Sequence, residues 1–166
     1  MAQLTLTPLR FTPEEIAEVV GLYASNPEYC RAAGEYDPEN IPADKVEADL
    51  REEAGTEGCE VLLARDEPDR IVGLVCLLDR HPTDGHPWIG LLLVHGGLRR
   101  QRIGSRLAGL VEERYRREGR DGIRLAVLEN RPESLAFWNS QGWQEIDRRT
   151  DRQYGRPCVV MHKQLT

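Results

Sequence analysis

Long apolar runs are absent from this chain of 166 residues: none approaches the roughly 20 residues that a membrane-spanning helix requires. The first ten residues, MAQLTLTPLR, carry neither the basic nor the apolar stretch of a secretory leader. The cytoplasm is therefore the expected compartment, with no membrane partner. Lysine is scarce, with Lys45 and Lys163 standing among 22 basic residues, and acidic and basic side chains interleave to a net charge of −6. Without a basic field, a nucleic-acid partner is not expected. Cysteine is sparse and unpatterned: Cys30, Cys59, Cys76 and Cys158 show no CxxC and no metal-ligand spacing. Cys59 and Cys76 begin or interrupt apolar runs, which reads as small buried hydrophobes rather than redox groups. Internal repeats and long linkers are missing as well, so residues 1–166 are expected to form one domain, long enough to bury a core.

What is present is a mixed order of helical and strand periods. Leu4, Leu6 and Leu9 suggest a short first strand. Thr12, Pro13, Glu14 and Glu15 read as an N-cap, a proline at the first helical position and acids in the first turn of a helix running to about Ala24. Residues 25–42 are polar, punctuated by prolines and rich in tyrosine, and connect to a second helix at about Ala43–Ala54 that Gly55 can close. A meander follows, with strands at residues 60–65, 71–79 and 88–94. Its last loop, HPTDGHP, gathers His81, Asp84 and His86; a metal site is conceivable there, but these are turn residues and no metal is assigned. After Val94 helices and strands alternate. Ile103, Leu107, Leu110, Val111 and Tyr115 share one helical face ending near Gly119. Residues 123–128 form a continuous apolar strand, as expected when both faces are covered. Residues 133–141 form a short helix capped by Gly142, and residues 143–149 and 159–163 are strands. The pattern predicts one α/β domain.

The junction between the third strand and the long helix carries the chemistry. Leu92, Leu93 and Val94 end a buried strand, His95, Gly96 and Gly97 turn, and an amphipathic helix starts at once. A helix's first turn leaves backbone N–H groups unpaired, and its dipole favours an anion there. Arg99, Arg100, Arg102 and Arg106 crowd this end, where cations are unfavourable by about 0.3–1 kcal/mol each unless an anion is present. Guanidinium groups suit phosphate oxygens, and Gly104 lets a bulky anion approach the backbone. Neither a Walker A nor a GxGxxG pattern occurs.

The run Arg99-Arg100-Gln101-Arg102-Ile103-Gly104 resembles the Q/R-x-x-G-x-G/A signature of the GNAT superfamily of N-acyltransferases, with Arg102 where the first glycine is usual. Residues 123–130, ending in Asn130, resemble that family's next strand, and residues 134–143 its following helix and glycine-aromatic exit. The resemblance implies an α/β domain with a mixed, mostly antiparallel sheet of about six or seven strands flanked by about four helices. It also implies acetyl-CoA as co-substrate and acetyl transfer to a primary amine. Leu92, Leu93 and Val94 would meet the pantetheine arm; Arg99, Arg100, Gln101, Arg102, Ile103, Gly104 and Ser105 would surround the pyrophosphate; Asn130 would hydrogen-bond the pantetheine. Trp138 stands where many members carry a tyrosine that serves the leaving sulfur, and an indole N–H cannot transfer a proton at neutral pH. Edge strands in the C-terminal half, such as residues 159–163, can pair between subunits, and the family resemblance suggests a homodimer.

A thiolate leaves readily, but an alkylammonium with a pKa of about 10.4 must first lose a proton. Leu125 and Ala126 occupy the strand positions where some relatives carry a catalytic glutamate. Glu129, Asp79 and His95 are the candidate bases, each with a surface or turn role as the plainer reading, and a water chain is the alternative. Backbone N–H groups near Val94 are candidate donors to the oxyanion. Tyr23, Tyr29 and Tyr36 alternate with Glu28, Glu35 and Asp37, a neighbourhood that suits a small cationic amine unless the rings simply pack down. Two other readings stay open: a protein amine as acceptor, and a sensor that binds acyl-CoA without turnover.

Overall fold

The computed structural model describes residues 3–67, 69–98 and 101–166, and its first helix begins where the sequence places a cap. Strand β1 (Thr5–Pro8) leads to helix α1 (Pro13–Ala24). Thr12 Oγ1 accepts the Glu15 N–H at 3.1 Å, and Pro13 occupies the first turn. The stretch read as a connector contains a helix of its own, α2 (Pro27–Ala33), which ends at Gly34 in the left-handed conformation. Two turns of helix are too short to show a period, and Pro27 at its first turn was the available signal. Helix α3 (Ala43–Ala54) follows at the expected bounds.

Strands β2 (Cys59–Arg65), β3 (Ile71–Leu78) and β4 (Trp88–Val94) form the antiparallel meander. Helix α4 (Ile103–Arg117), strand β5 (Gly122–Leu128), helix α5 (Pro132–Ser140) and strands β6 (Gln144–Thr150) and β7 (Pro157–Gln164) complete the chain. Gly119 and Gly142 take φ values of +76° and +91° just past α4 and α5, where a Cβ would be strained. Seven strands make one open sheet in the order β1-β2-β3-β4-β5-β7-β6, with β4 and β5 parallel and the other pairs antiparallel.

Residues 159–163 therefore do not form the edge that the sequence suggested. β7 lies between β5 and β6, and its buried Val159, Val160 and Met161 suit an interior strand. The edge is β6, exposed along its whole length and carrying Glu145, Asp147, Arg148 and Arg149, charges that discourage edge pairing.

Each face of the sheet buries its own core. Ile16, Val19, Leu22, Val46 and Leu50 of α1 and α3 cover Leu63, Leu74 and Leu93 on one face. Leu107, Val111 and Tyr115 of α4, with Trp138 and Trp143, cover Leu62, Val75, Leu125 and Met161 on the other. Leu110 departs from the expected apolar face of α4 and is exposed. All four cysteines are free, and Cys30, Cys76 and Cys158 are buried. Among the described residues no helix is long and apolar enough to cross a membrane.

Candidate functional site

The site begins with a break in the sheet. β4 and β5 pair only at Trp88 with Arg124 and at Ile89 with Leu125, so residues 90–94 and 126–128 have no ladder partner across the gap. The break coincides with a β-bulge: across β3, Leu77 faces Ile89 and Cys76 faces Leu91, which leaves Gly90 as the extra residue. The bulge reverses the alternation of β4. Ile89 points into the α4–α5 core, whereas Leu91 and Leu93 point into the α1–α3 core and Leu92 and Val94 return to the first. A slot of about 170 Å³ opens between the strands, bordered by Tyr29, Gly90, Ala126, Arg131 and Trp138.

The slot continues into a larger cavity of about 470 Å³ at the start of α4; Asn26, Leu92, Leu93, Arg131, Ser134 and Trp138 border both. Seven of the residues expected at the donor site line this cavity: Leu92, Leu93, Val94, Arg102, Gly104, Ser105 and Trp138. Ile103 is buried in the core beneath it, and Gln101 is exposed away from its lining. Arg99 and Arg100 lie outside the described residues. The α4 ladder starts with the Arg106 N–H donating to the Arg102 carbonyl at 3.0 Å, so the amides of Ile103, Gly104 and Ser105 precede it at the positive end of the helix dipole. Arg102 adopts φ +59° and ψ +19°, a left-handed conformation that costs a residue with a Cβ about 1–2 kcal/mol. This is the position at which the resembled signature has glycine.

Asn26 and Arg131 were missed by sequence reasoning. Asn26, 5% exposed, donates from Nδ2 to the Val94 carbonyl at 2.9 Å and to the Leu22 carbonyl at 3.0 Å. Beside it the Gly96 N–H donates to Ser25 Oγ at 2.9 Å, and a Cβ on Gly96 would stand 1.8 Å from the Ser25 carbonyl oxygen. The α1–α2 junction thus holds the end of β4 by contacts 68 and 71 residues apart in sequence, beyond any local pattern. Arg131, paired with Glu133 at 2.8 Å, follows β5 directly and carried no motif.

Trp138 is 7% exposed and packs edge-on against Phe137 and Trp143, with ring centroids 4.9 and 5.1 Å away. Asn130 is exposed, donates to the Ala32 carbonyl at 3.2 Å and borders neither space. The three candidate bases also lie apart from the slot. Glu129 holds Arg148, Asp79 holds Arg120 at 3.0 Å, and His95 Nδ1 accepts the Gly97 N–H at 3.0 Å. In the HPTDGHP loop Asp84 accepts from Trp88, His86 and Arg124, as a turn residue does, and among the described residues no cluster could hold a metal ion.

A third cavity, of about 310 Å³, is acidic. Glu35, Asp49, Glu52 and Glu53 line it, with Gln153 and Tyr154 of the β6–β7 loop. It comes near the slot at Gly90, whose missing Cβ would lie 3.6 Å from Glu53 Oε1. Arg156 anchors the loop by pairing with Asp151 at 2.8 Å and Glu35 at 3.1 Å and donating to the Ala33 carbonyl at 2.9 Å. Burial, reinforced by the charge of Glu35, lifts the Glu53 carboxyl above the usual glutamate range. Burial also raises Asp49, but hydrogen bonds from Tyr36 (2.6 Å) and Lys45 (2.9 Å) outweigh it and hold its pKa below the ordinary value. The aromatic, acidic segment noted in the sequence is divided among these spaces. Tyr23 packs into the core against Tyr36, Tyr29 borders the slot, Glu28 faces the large cavity, Glu35 faces the acidic one, and Asp37 closes a turn onto the Glu39 N–H.

A wide mouth with Arg102, Arg131 and a helix start, narrowing to a slot edged by unladdered strand backbone, suits a ligand with a polyanionic head and a thin polar arm. Coenzyme A has that form. Among solved structures, an acetyltransferase from Thermus thermophilus has the same fold, with a TM-score of 0.76 at 18% identity over 98% of this chain and 97% of that one. A spermidine N-acetyltransferase from Vibrio cholerae, in complex with CoA and spermine, superposes with a TM-score of 0.75 at 14% identity over 98% and 96%. No curated protein matches the chain in sequence. The acetyltransferase (GNAT) family matches it over residues 18–143. The chain belongs to that family, and its acyl donor is acetyl-CoA.

Proposed function

We propose that this enzyme transfers the acetyl group of acetyl-CoA to a primary amine of a small cationic molecule. The observation that carries the reading is the approach of Glu53, one of four carboxylates lining a cavity, to Gly90 on the border of the slot. A positively charged acceptor is drawn to such a lining and excluded from the arginine-bordered cavity on the other side. The Vibrio cholerae fold relative is named for spermidine, a polycation, which agrees with this polarity.

In this reading Arg102, Arg131 and the amides of Ile103, Gly104 and Ser105 hold the phosphates, while the backbone of Leu92, Leu93 and Val94 holds the pantetheine arm. Acetyl-CoA supplies a thioester whose thiolate leaves readily, because thiol pKa values lie at about 8.5. Among residues 90–94, the N–H groups that face the gap rather than β3 are the donors available to charge on the carbonyl oxygen. Trp138 closes the apolar wall of the slot and takes no proton. We take residues 1–166 as one N-acetyltransferase domain acting in the cytoplasm, and a homodimer as its assembly.

Calorimetric titration with acetyl-CoA followed by thiol release with a panel of amines tests the reading. Binding together with turnover of cationic amines is expected. Tight binding with no turnover of any amine would establish a sensor instead, and turnover confined to peptide amines would move the acceptor to protein.

A further inference from the structure

Acetyl transfer to an ammonium needs a base, and the strand positions beside the slot are apolar: Leu125 and Ala126 carry no ionisable group. Glu129, Asp79 and His95 are held by Arg148, Arg120 and the Gly97 amide away from it. On the acidic side most carboxylates already have partners or face solvent. Asp49 is held by Tyr36 and Lys45, Glu35 by Arg156, and Glu52 is exposed to solvent at the cavity's rim. Glu53 differs from all of these. Among the described residues its side chain makes no hydrogen bond or ion pair, it is half-buried, and Oε1 lies against Gly90, the bulge residue at the point where β4 leaves β5.

We propose that Glu53 accepts the proton from the acceptor's ammonium nitrogen; the assignment rests on the amine reading above. The nitrogen's first proton moves to a Glu53 oxygen, and the freed lone pair forms the C–N bond to the acetyl carbonyl carbon. The C–S bond breaks with its electron pair staying on sulfur. The nitrogen's second proton ends on that sulfur, and Glu53 returns its own to water. Gly90 makes the arrangement possible, because a side chain there would stand between the carboxylate and the slot.

The groups facing Glu53 from each neighbouring element favour proton uptake. Glu35, Asp49 and Glu52 contribute negative charge, Cys59 and Cys76 contribute neutral thiols, and Tyr154 closes the loop side. The cations Lys45 and Arg156 are paired with Asp49 and Glu35. The raised affinity of Glu53 for a proton brings it closer to that of an amine, the direction a general base requires.

The test is Glu53→Gln, assayed with a cationic amine and with an amine already neutral at the assay pH. The expected result is acetyl-CoA affinity as in the parent, kcat for the cationic amine lower by about 100-fold or more, and loss of the acid limb of the pH–rate profile. The neutral amine should lose far less. Unchanged kcat and an intact acid limb, with the parent enzyme turning over cationic amines, would overturn the assignment and leave the acceptor reading standing. No turnover of cationic amines by the parent enzyme would overturn both. If Glu53→Gln loses acetyl-CoA binding, Glu53→Asp decides: retained binding with a reduced kcat and a displaced acid limb supports the assignment, and loss of binding there too marks a structural role and overturns it.

Discussion

The two ends of the slot are built in opposite ways. The donor end is made of consecutive chain, a strand running through a short turn into a helix, and much of its binding surface is backbone. The end proposed for the acceptor is made of side chains from α3, the segment before it and the β6–β7 loop, which meet only in the folded protein. A binding surface of backbone is insensitive to most substitutions, whereas one of convergent carboxylates is tuned by each of them.

That contrast can be broken most visibly at Trp138, which belongs to the framework of both spaces. Trp138→Ala removes a buried ring packed on Phe137 and Trp143 and should cost about 3–5 kcal/mol in denaturant unfolding. Trp138→Phe should keep most of the stability and the activity, because the indole N–H has no proton-transfer role. A large loss of kcat in a well-folded Trp138→Phe would show the donor end to depend on a side chain after all.

A smaller pair of effects should sharpen the contrast. Asp49→Asn weakens the acidic lining and should raise KM for a cationic acceptor about fivefold, equivalent to about 1 kcal/mol, with the acetyl-CoA affinity unchanged. Arg102→Gly should do the converse, weakening acetyl-CoA by about fivefold and leaving acceptor KM alone. It should also relieve the left-handed strain at φ +59°, for a net gain of about 0.5 kcal/mol once glycine's added freedom in the unfolded chain is subtracted. Thermal unfolding and titration of the two variants side by side check both directions.

The smallest effect concerns the loop that roofs the acidic cavity. Burial raises the Asp151 carboxyl, but the Arg156 side chain and the amides of Tyr154 and Arg156 prevail and hold its pKa at about 2. A pKa depressed in the folded state stabilises above the unfolded value of 3.8, and that contribution is lost as pH falls toward about 2. Asp151→Asn should accordingly be slightly less stable at neutral pH and show a flatter decline in acid, seen in melting temperatures across that range.

Much of the framework around the slot was legible because its signals are local. The cap at Thr12, the bounds of α3 and β4 and most of the apolar face of α4 each lie within one turn or one strand of their cause. The bulge at Gly90 left no trace, since a run of leucines reads the same in either phase. Asn26, Arg131 and Glu53 were invisible for a different reason: each is an ordinary polar residue until the fold brings a distant stretch of chain beside it. The topology that places β7 in the interior is equally non-local, and the pattern of residues 159–163 alone did not reveal it.

If the arginine-bordered cavity takes the donor and the carboxylate-lined cavity the acceptor, as proposed, the enzyme should discriminate acceptors by charge. The most direct test is the ratio of kcat/KM for a linear diamine to that for the amino acid of equal length bearing a carboxylate in place of the second amine, measured with saturating acetyl-CoA. The expected ratio is well above one and falls as salt is added. Equal or reversed preference, independent of salt, would contradict this arrangement.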